Sequence, residues 1–298
     1  MKAKGYIYAA LSAAAYGTNP IFAKPLYNDG MNPDSVLLFR YVLAVAVLAL
    51  MMSYNGFRRG NLAESFRVSR HNLPQLILLG VLMAFSSLTL FVSYNYIPVG
   101  IASTLLFVYP ILTALIMTLC FHERLSWLVV VCLVIACSGI ALLCPMEDGA
   151  ISLSSNFLIG FLVVMLSGLS YAIYLVGLNK TRLRTIASMP VTLYVLIFGT
   201  LLFVVRLMFF APLTLPEHTI SWLNLLALGI FPTVVSLICT AKAIQNIGST
   251  QTALLGALEP VTAVILGVII LGETVSLRDI GGMTLIFLAV TLVVYRKK

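Results

Sequence analysis

The sequence predicts an all-α integral membrane protein of ten transmembrane helices in two inverted five-helix repeats. Three observations predict it: the scarcity of charge, the length of the apolar runs, and a self-similarity at a spacing near 150 residues. Only 9% of the 298 residues are charged and 61% are hydrophobic, with a mean hydropathy of +1.06. A soluble protein carries about 25% charged residues, so lipid must be the solvent here. Apolar runs of about 20 residues cross the roughly 30 Å hydrocarbon core as helices. The strands of about ten alternating residues that a membrane barrel needs are absent.

The apolar runs predict helices over 5–24, 34–54, 72–95, 99–121 and 126–144, then 156–178, 188–211, 220–246, 249–271 and 277–295. The connections are short, so no appended soluble domain is expected. The first run, behind Lys2 and Lys4, has the look of a signal peptide. Its removal would delete the partner of the sixth helix, so no cleavage is expected. Ten spans put both termini on one side. With the N-terminus in the cytoplasm, 14 of the 18 Lys and Arg fall on or near that side. Only Lys24, Arg40, Arg206 and Arg278 fall toward the other. Both termini are therefore expected on the cytoplasmic face of the inner membrane.

The net charge of +8 comes from loop clusters such as Arg58, Arg59, Arg67 and Arg70, and Lys180, Arg182 and Arg184. That distribution argues against nucleic acid as a partner. Cys120, Cys132, Cys137, Cys144 and Cys239 show no CxxC spacing, so no metal site, disulfide framework or cofactor is expected. The chain also lacks an HExxH helix, a GxSxG turn, paired intramembrane aspartates and a Walker A segment, so no enzyme is expected.

The repeat is the most informative feature. At an offset of 150, Ile97–Ser126 lies over Ile247–Ser276, matching Ile97/Ile247, Leu105/Leu255, Pro110/Pro260, Glu123/Glu273 and Ser126/Ser276. At an offset of 155, Gly5, Leu11, Ser12 and Tyr16 lie over Gly160, Leu166, Ser167 and Tyr171. The halves are 1–150 and 151–298. Five helices is an odd number, so the second half enters the membrane from the opposite side. Two such halves can exchange conformations and expose a midplane site alternately to each side.

The segments Ile97-Pro98-Val99-Gly100-Ile101-Ala102-Ser103 and Ile247-Gly248-Ser249-Thr250-Gln251-Thr252-Ala253 resemble a recurring segment of EamA-type permeases. In the second half the resemblance continues through Leu258-Glu259-Pro260 to Leu271-Gly272-Glu273. EamA-type permeases belong to the drug/metabolite transporter superfamily, and the resemblance covers essentially the whole chain. It implies ten helices and a central cavity lined mainly by helices 1, 3, 4, 6, 8 and 9. It also implies export, but no particular substrate, since members export amino acids, metabolites or drugs. The first half departs from the usual pattern, with Tyr109 where the second has Glu259.

Polar side chains inside a span are costly and usually face the bundle interior. Ser12, Tyr16 and Asn19 form such a stripe on the first helix, and Ser167, Ser170, Tyr171 and Tyr174 form one on the sixth. Thr233, Ser236 and Thr240 share a face of the eighth, and Thr252, Gly256 and Glu259 a face of the ninth. Packing explains a single Ser or Thr well, because such groups glue helices together. For Asn19 and the tyrosines Tyr16, Tyr109, Tyr171 and Tyr174, pocket and packing stand level. Pro20, Pro110, Pro232 and Pro260 fall within spans, where each tends to kink the helix and frees a carbonyl that needs a partner. Glu259 lies about 15 Å into its span, where a carboxylate must be protonated, paired or hydrated. It either works in transport or belongs to a structural Glu-Pro kink. Lys242 either reaches toward it or snorkels to the headgroups. Glu123 and Glu273 sit at helix ends near the start of the next helix, where a carboxylate can accept from free backbone donors, and are expected to be turn-forming residues.

The expected function is secondary transport, by alternating access, of a small organic metabolite such as an amino acid. Its expected substrate-binding residues are Tyr16, Asn19, Tyr109, Tyr171, Tyr174, Lys242 and Glu259. Efflux of lipophilic cations is the alternative, with a channel or an intramembrane enzyme behind it. The partners are the solute, the lipid bilayer and, as a candidate coupling ion, protons. A monomer could suffice.

Overall fold

The computed structural model describes residues 2–58, 60–61, 66–121, 127–143, 146–147, 150–151, 154–181, 183, 186–256 and 258–296. The first half contains α1 (Lys2–Gly17), α2 (Asn19–Asn28), α3 (Pro33–Arg58), α4 (Leu73–Ser93), α5 (Val99–Leu106), α6 (Tyr109–Phe121) and α7 (Trp127–Leu143). The second contains α8 (Ser155–Lys180), α9 (Ser188–Phe209), α10 (Thr219–Gly229), a π turn (Ile230–Val235), α11 (Ser236–Leu255), α12 (Leu258–Leu271) and α13 (Leu277–Arg296). Between the halves, Met146–Glu147 pairs with Ala150–Ile151 as a two-residue antiparallel ribbon, a small departure from an all-α chain.

Among the described residues, six helices are long and apolar enough to cross a membrane: Pro33–Arg58, Arg70–Ser93, Val99–Phe121, Ser155–Leu178, Met189–Phe209 and Thr219–Thr240. The expected first span is instead split into helices of 16 and 10 residues, and the fifth and ninth hold apolar helices of 17 and 14. The boundary expected between 246 and 249 does not exist. α11 runs through it to Leu255, and the interruption comes at Gly256.

The interruptions follow the prolines. α2 begins at Asn19, α6 at Tyr109 and α12 at Leu258, which puts Pro20, Pro110 and Pro260 in first turns, where a missing N–H costs no helical bond. Pro232 lies inside the π turn. There the carbonyl it frees, at Leu228, accepts the Thr233 hydroxyl at 3.1 Å. At Gly256 the freed carbonyl accepts the Glu259 N–H at 2.9 Å.

The two halves interleave about an approximate twofold axis, visible as contacts made twice. A Cβ on Gly5 would meet Asn246 and Ile247, and a Cβ on Gly160 would meet Tyr96 and Ile97, all at 3.0 Å or less. The Ser12 hydroxyl donates to Ser236 O at 2.8 Å, and the Ser167 hydroxyl donates to Ser86 O at 2.7 Å. Gly80 abuts Val195 O and Phe198, while Gly229 abuts Arg40 O and Leu43. Helix 1 of each half thus runs antiparallel against the third helix of the other. Small residues permit that approach, as van der Waals packing in lipid requires. The Ser12 and Ser167 positions therefore serve interhelical bonding.

Candidate functional site

The site is assembled where two interrupted spans cross. Gly17, the last residue of α1, has no side chain to hold α12 away: a Cβ there would lie 2.6 Å from Glu259 O and 2.7 Å from Thr262 Cβ. This close approach sets Tyr16 beside the start of α12, within electrostatic range of Glu259. Tyr94, Tyr109 and Tyr171 are within range of the same carboxylate. Glu259 has no ion pair or side-chain hydrogen bond among the described residues.

The aromatic wall comes from α5, α6 and α8. Tyr109 meets Tyr171 edge to face at 4.8 Å, and Tyr171 stacks on Tyr174 at 5.8 Å. Phe107 adds an edge contact to Tyr109 at 5.9 Å. These geometries suit the ring quadrupoles. Tyr16, Tyr109, Tyr171, Tyr174 and Glu259 are enclosed by protein yet only partly buried.

Asn19 lies one turn beyond Tyr16. It is 1% exposed, and neither its Nδ2 nor its Oδ1 has a partner. Lys242 is exposed, its Nζ 5.2 Å from the Tyr8 ring, and it makes no bridge to Glu259. The structure therefore groups Tyr16, Tyr109, Tyr171, Tyr174 and Glu259, with Asn19 on the same broken span, and leaves Lys242 apart. Thr252 lies among residues whose side chains are outside the description, as does Glu123. Glu273 caps backbone donors, but not those of the following helix. It accepts from Val99 N at 2.9 Å and Gly100 N at 3.3 Å, the start of α5 in the other half. The helix that follows, α13, is capped by Ser276, whose Oγ accepts from Asp279 N at 3.1 Å while Asp279 accepts from Ser276 N at 2.9 Å.

The residue that sequence reasoning missed is Arg40. It was expected toward the far face of the membrane, but its side chain is 2% exposed inside the bundle. Its Nε donates to Thr233 Oγ1 at 2.7 Å, and its guanidinium carbon lies 5.3 Å from the Phe91 ring centroid and 6.0 Å from that of Tyr16. Nη1 has no acceptor. The signal available was depth: Arg40 is seven residues into α3, about 10 Å along its axis, deep for a snorkelling arginine.

At one end of the bundle a cleft of about 420 Å³ is lined by Lys24, Tyr94, Tyr96, Pro98, Gly272 and Glu273, among others. Tyr94 joins this cleft to the neighbourhood of Tyr16 and Glu259. At the same end, residues 29–35 strap down the segment 206–218. Asp34 pairs with Arg206 at 2.5 Å, Asn32 Nδ2 donates to Pro212 O at 2.7 Å, and Asp29 pairs with His218.

A model of the EamA-like transporter family matches residues 3–144 and again 158–295. An uncharacterized transporter of Clostridium kluyveri is 22% identical over 293 residues, covering 96% of this chain and 91% of that one. One from Synechocystis is 27% identical over 271 residues, covering 88% and 79%. One from Bacillus subtilis is 24% identical over 307 residues, covering 99% and 94%. A crystal structure 17% identical in sequence superposes with a TM-score of 0.67 over 98% of this chain and 96% of its own, a likeness of fold.

Proposed function

We propose that this chain, which belongs to the EamA-like transporter family, exports a small organic metabolite of the amino-acid kind across the inner membrane by alternating access. The observation that carries the reading is the close crossing of α1 and α12, which brings Glu259, unpaired among the described residues, beside tyrosines. Buried carboxylates inside a bundle are retained at a cost and mark ligand or proton pathways. Glu259 meets that cost by holding the cationic group of the solute, or a proton when the solute has left. Discontinuous helices at the midplane supply the open backbone groups that solute sites use. Ten spans with both termini in the cytoplasm, working as a monomer, complete the reading.

Lipophilic-cation efflux is the second reading, favoured by the ring contacts of Tyr109, Tyr171 and Tyr174 close to a carboxylate. Thermal unfolding of the purified protein with amino acids, nucleosides and lipophilic cations separates the two, because a ligand of the folded state raises its apparent stability by mass action. Stabilisation by a zwitterion that disappears in Glu259→Gln supports metabolite export. Stabilisation by lipophilic cations alone overturns it in favour of drug efflux.

A further inference from the structure

We infer that Arg40 and Asn19 form a carboxylate-binding site for the transported solute, so that the protein selects zwitterions over lipophilic cations. This deepens the transporter reading and rests on it. Three observations carry the assignment. The first is an uncompensated charge. Arg40 is 2% exposed and has no carboxylate within salt-bridge distance among the described residues. The nearest acid on its own helix, Asp34, is already paired with Arg206. Thr233 and the rings of Phe91 and Tyr16 meet part of the cost of that buried charge, and an anion would meet the rest.

The second is the set of open donors. Thr233 takes Nε and thereby fixes the guanidinium plane, while Nη1 keeps both its hydrogens without an acceptor. Asn19, on the broken first span, holds an unpaired amide donor at 1% exposure. It stands at the first residue of α2, a half-helix N-terminus whose dipole favours negative charge. The Arg40 guanidinium carbon lies 6.0 Å from the ring of Tyr16, three residues before Asn19, and a guanidinium fork with an amide donor nearby suits the two oxygens of a carboxylate.

The third is the position of the opposite charge. Arg40 lies 6.0 Å from the Tyr16 ring, and Gly17, the next residue, lies against the Glu259 carbonyl, so both charges flank the end of α1. A solute with its carboxylate at Arg40 and its ammonium at Glu259 would neutralise both. A lipophilic cation would satisfy Glu259 while leaving the guanidinium bare, and would feel its repulsion.

The test is ligand-induced thermal stabilisation, with titration, of the full-length protein in detergent. The probes are phenylalanine, its amide, 3-phenylpropanoate, phenethylamine, inorganic phosphate and a tetraphenylphosphonium salt. Wild type should prefer phenylalanine to its amide and to phenethylamine by about ten- to a hundredfold, the worth of a charge-assisted contact. In Arg40→Gln that preference should collapse to near parity. Arg40→Lys, which keeps the charge without the fork, and Asn19→Ala should each weaken phenylalanine while sparing phenethylamine. They serve if Arg40→Gln does not fold.

Binding of 3-phenylpropanoate alone, lost in Arg40→Gln, supports the carboxylate site while overturning the amino-acid reading. Equal binding of phenylalanine and its amide in wild type overturns the site, as does a preference retained in Arg40→Gln. Binding confined to phosphate, to the two cations, or to none of the probes overturns it as well.

Discussion

The two halves share a scaffold and differ in what they place upon it. At repeat-related positions the first half has Tyr16, Asn19, Arg40 and Tyr109, and the second has Tyr171, Tyr174, Val195 and Glu259. Because the halves interleave, these residues regroup across the chain. Tyr16, Asn19, Arg40 and Glu259 make a polar lobe from α1, α2, α3 and α12. Tyr109, Tyr171 and Tyr174 make an aromatic one. Duplication kept what symmetry needs, namely the glycine crossings, the serine bridges and the breaks. Divergence then gave the interior a charged end and an apolar end.

One residue of that divergence is visible in the backbone. Gly80 and Gly229 make the same contact at an offset of 149, whereas Ser86 and Ser236 do so at 150. The extra residue is taken up in the π turn of Ile230–Val235, between those positions. Such turns recur at functional sites. Here the turn carries Thr233, which bonds Arg40. At the repeat-related place of Arg40 the second half has Val195, facing α4, which is helical without interruption.

The comparison can be broken most severely at Glu259. Glu259→Tyr would convert the polar lobe into a copy of its twin. Solute counterflow in proteoliposomes should then fall by about a hundredfold or more, as when a site-defining polar partner is lost. Unchanged flux would return Glu259 to a structural role in its Glu-Pro turn. Next come the duplicated crossings. Gly5→Val and Gly160→Val each force a side chain into the other half's helix and should each cost about 1–3 kcal/mol in detergent unfolding. Unequal losses would show that the twofold contacts are not energetically equivalent. Tyr171→Leu removes two ring contacts worth about 0.5–1.5 kcal/mol each. It should weaken large aromatic solutes more than small ones, whereas Tyr16→Leu should weaken both alike.

The smallest effect belongs to the strap. Asp34 and Arg206 pair at one end, where the repeat-related residues are Met189 and Met51, so this ion pair is made once. Beside it, the hydrogen bond that His218 donates to Asp29, then the Asp29 charge, raises the His218 pKa, and the same bond lowers Asp29 to about 2. The His218 contribution is complete below its ordinary value of about 6.5 and fades as pH rises through the raised value. The Asp29 contribution holds above about 3.9 and fades as pH falls toward 2. Proteolysis of the 206–218 segment should therefore quicken as pH rises from neutral, and His218→Gln should remove that dependence. An unaltered profile in the variant would exclude the pair as its origin.

Composition and run length alone established a lipid-solvated helical chain, because charge scarcity leaves no other solvent. The paired prolines and the 150-residue spacing pointed to a duplicated bundle kinked at its prolines, since a missing N–H must act wherever the chain goes; that spans break there outright came from the structure. The candidate ring residues were legible too, as polar groups at helical spacing in apolar runs. Three things needed the tertiary structure: Arg40 turned inward, Lys242 set over the Tyr8 ring, and Glu273 capping α5 of the other half. A helix apolar on every side gives its polar residues no face from which direction can be read. A long side chain near a helix end reaches lipid headgroups or the interior equally well. Only the neighbours supplied by the opposite repeat decide which, because the partners of each half come from sequence about 150 residues away.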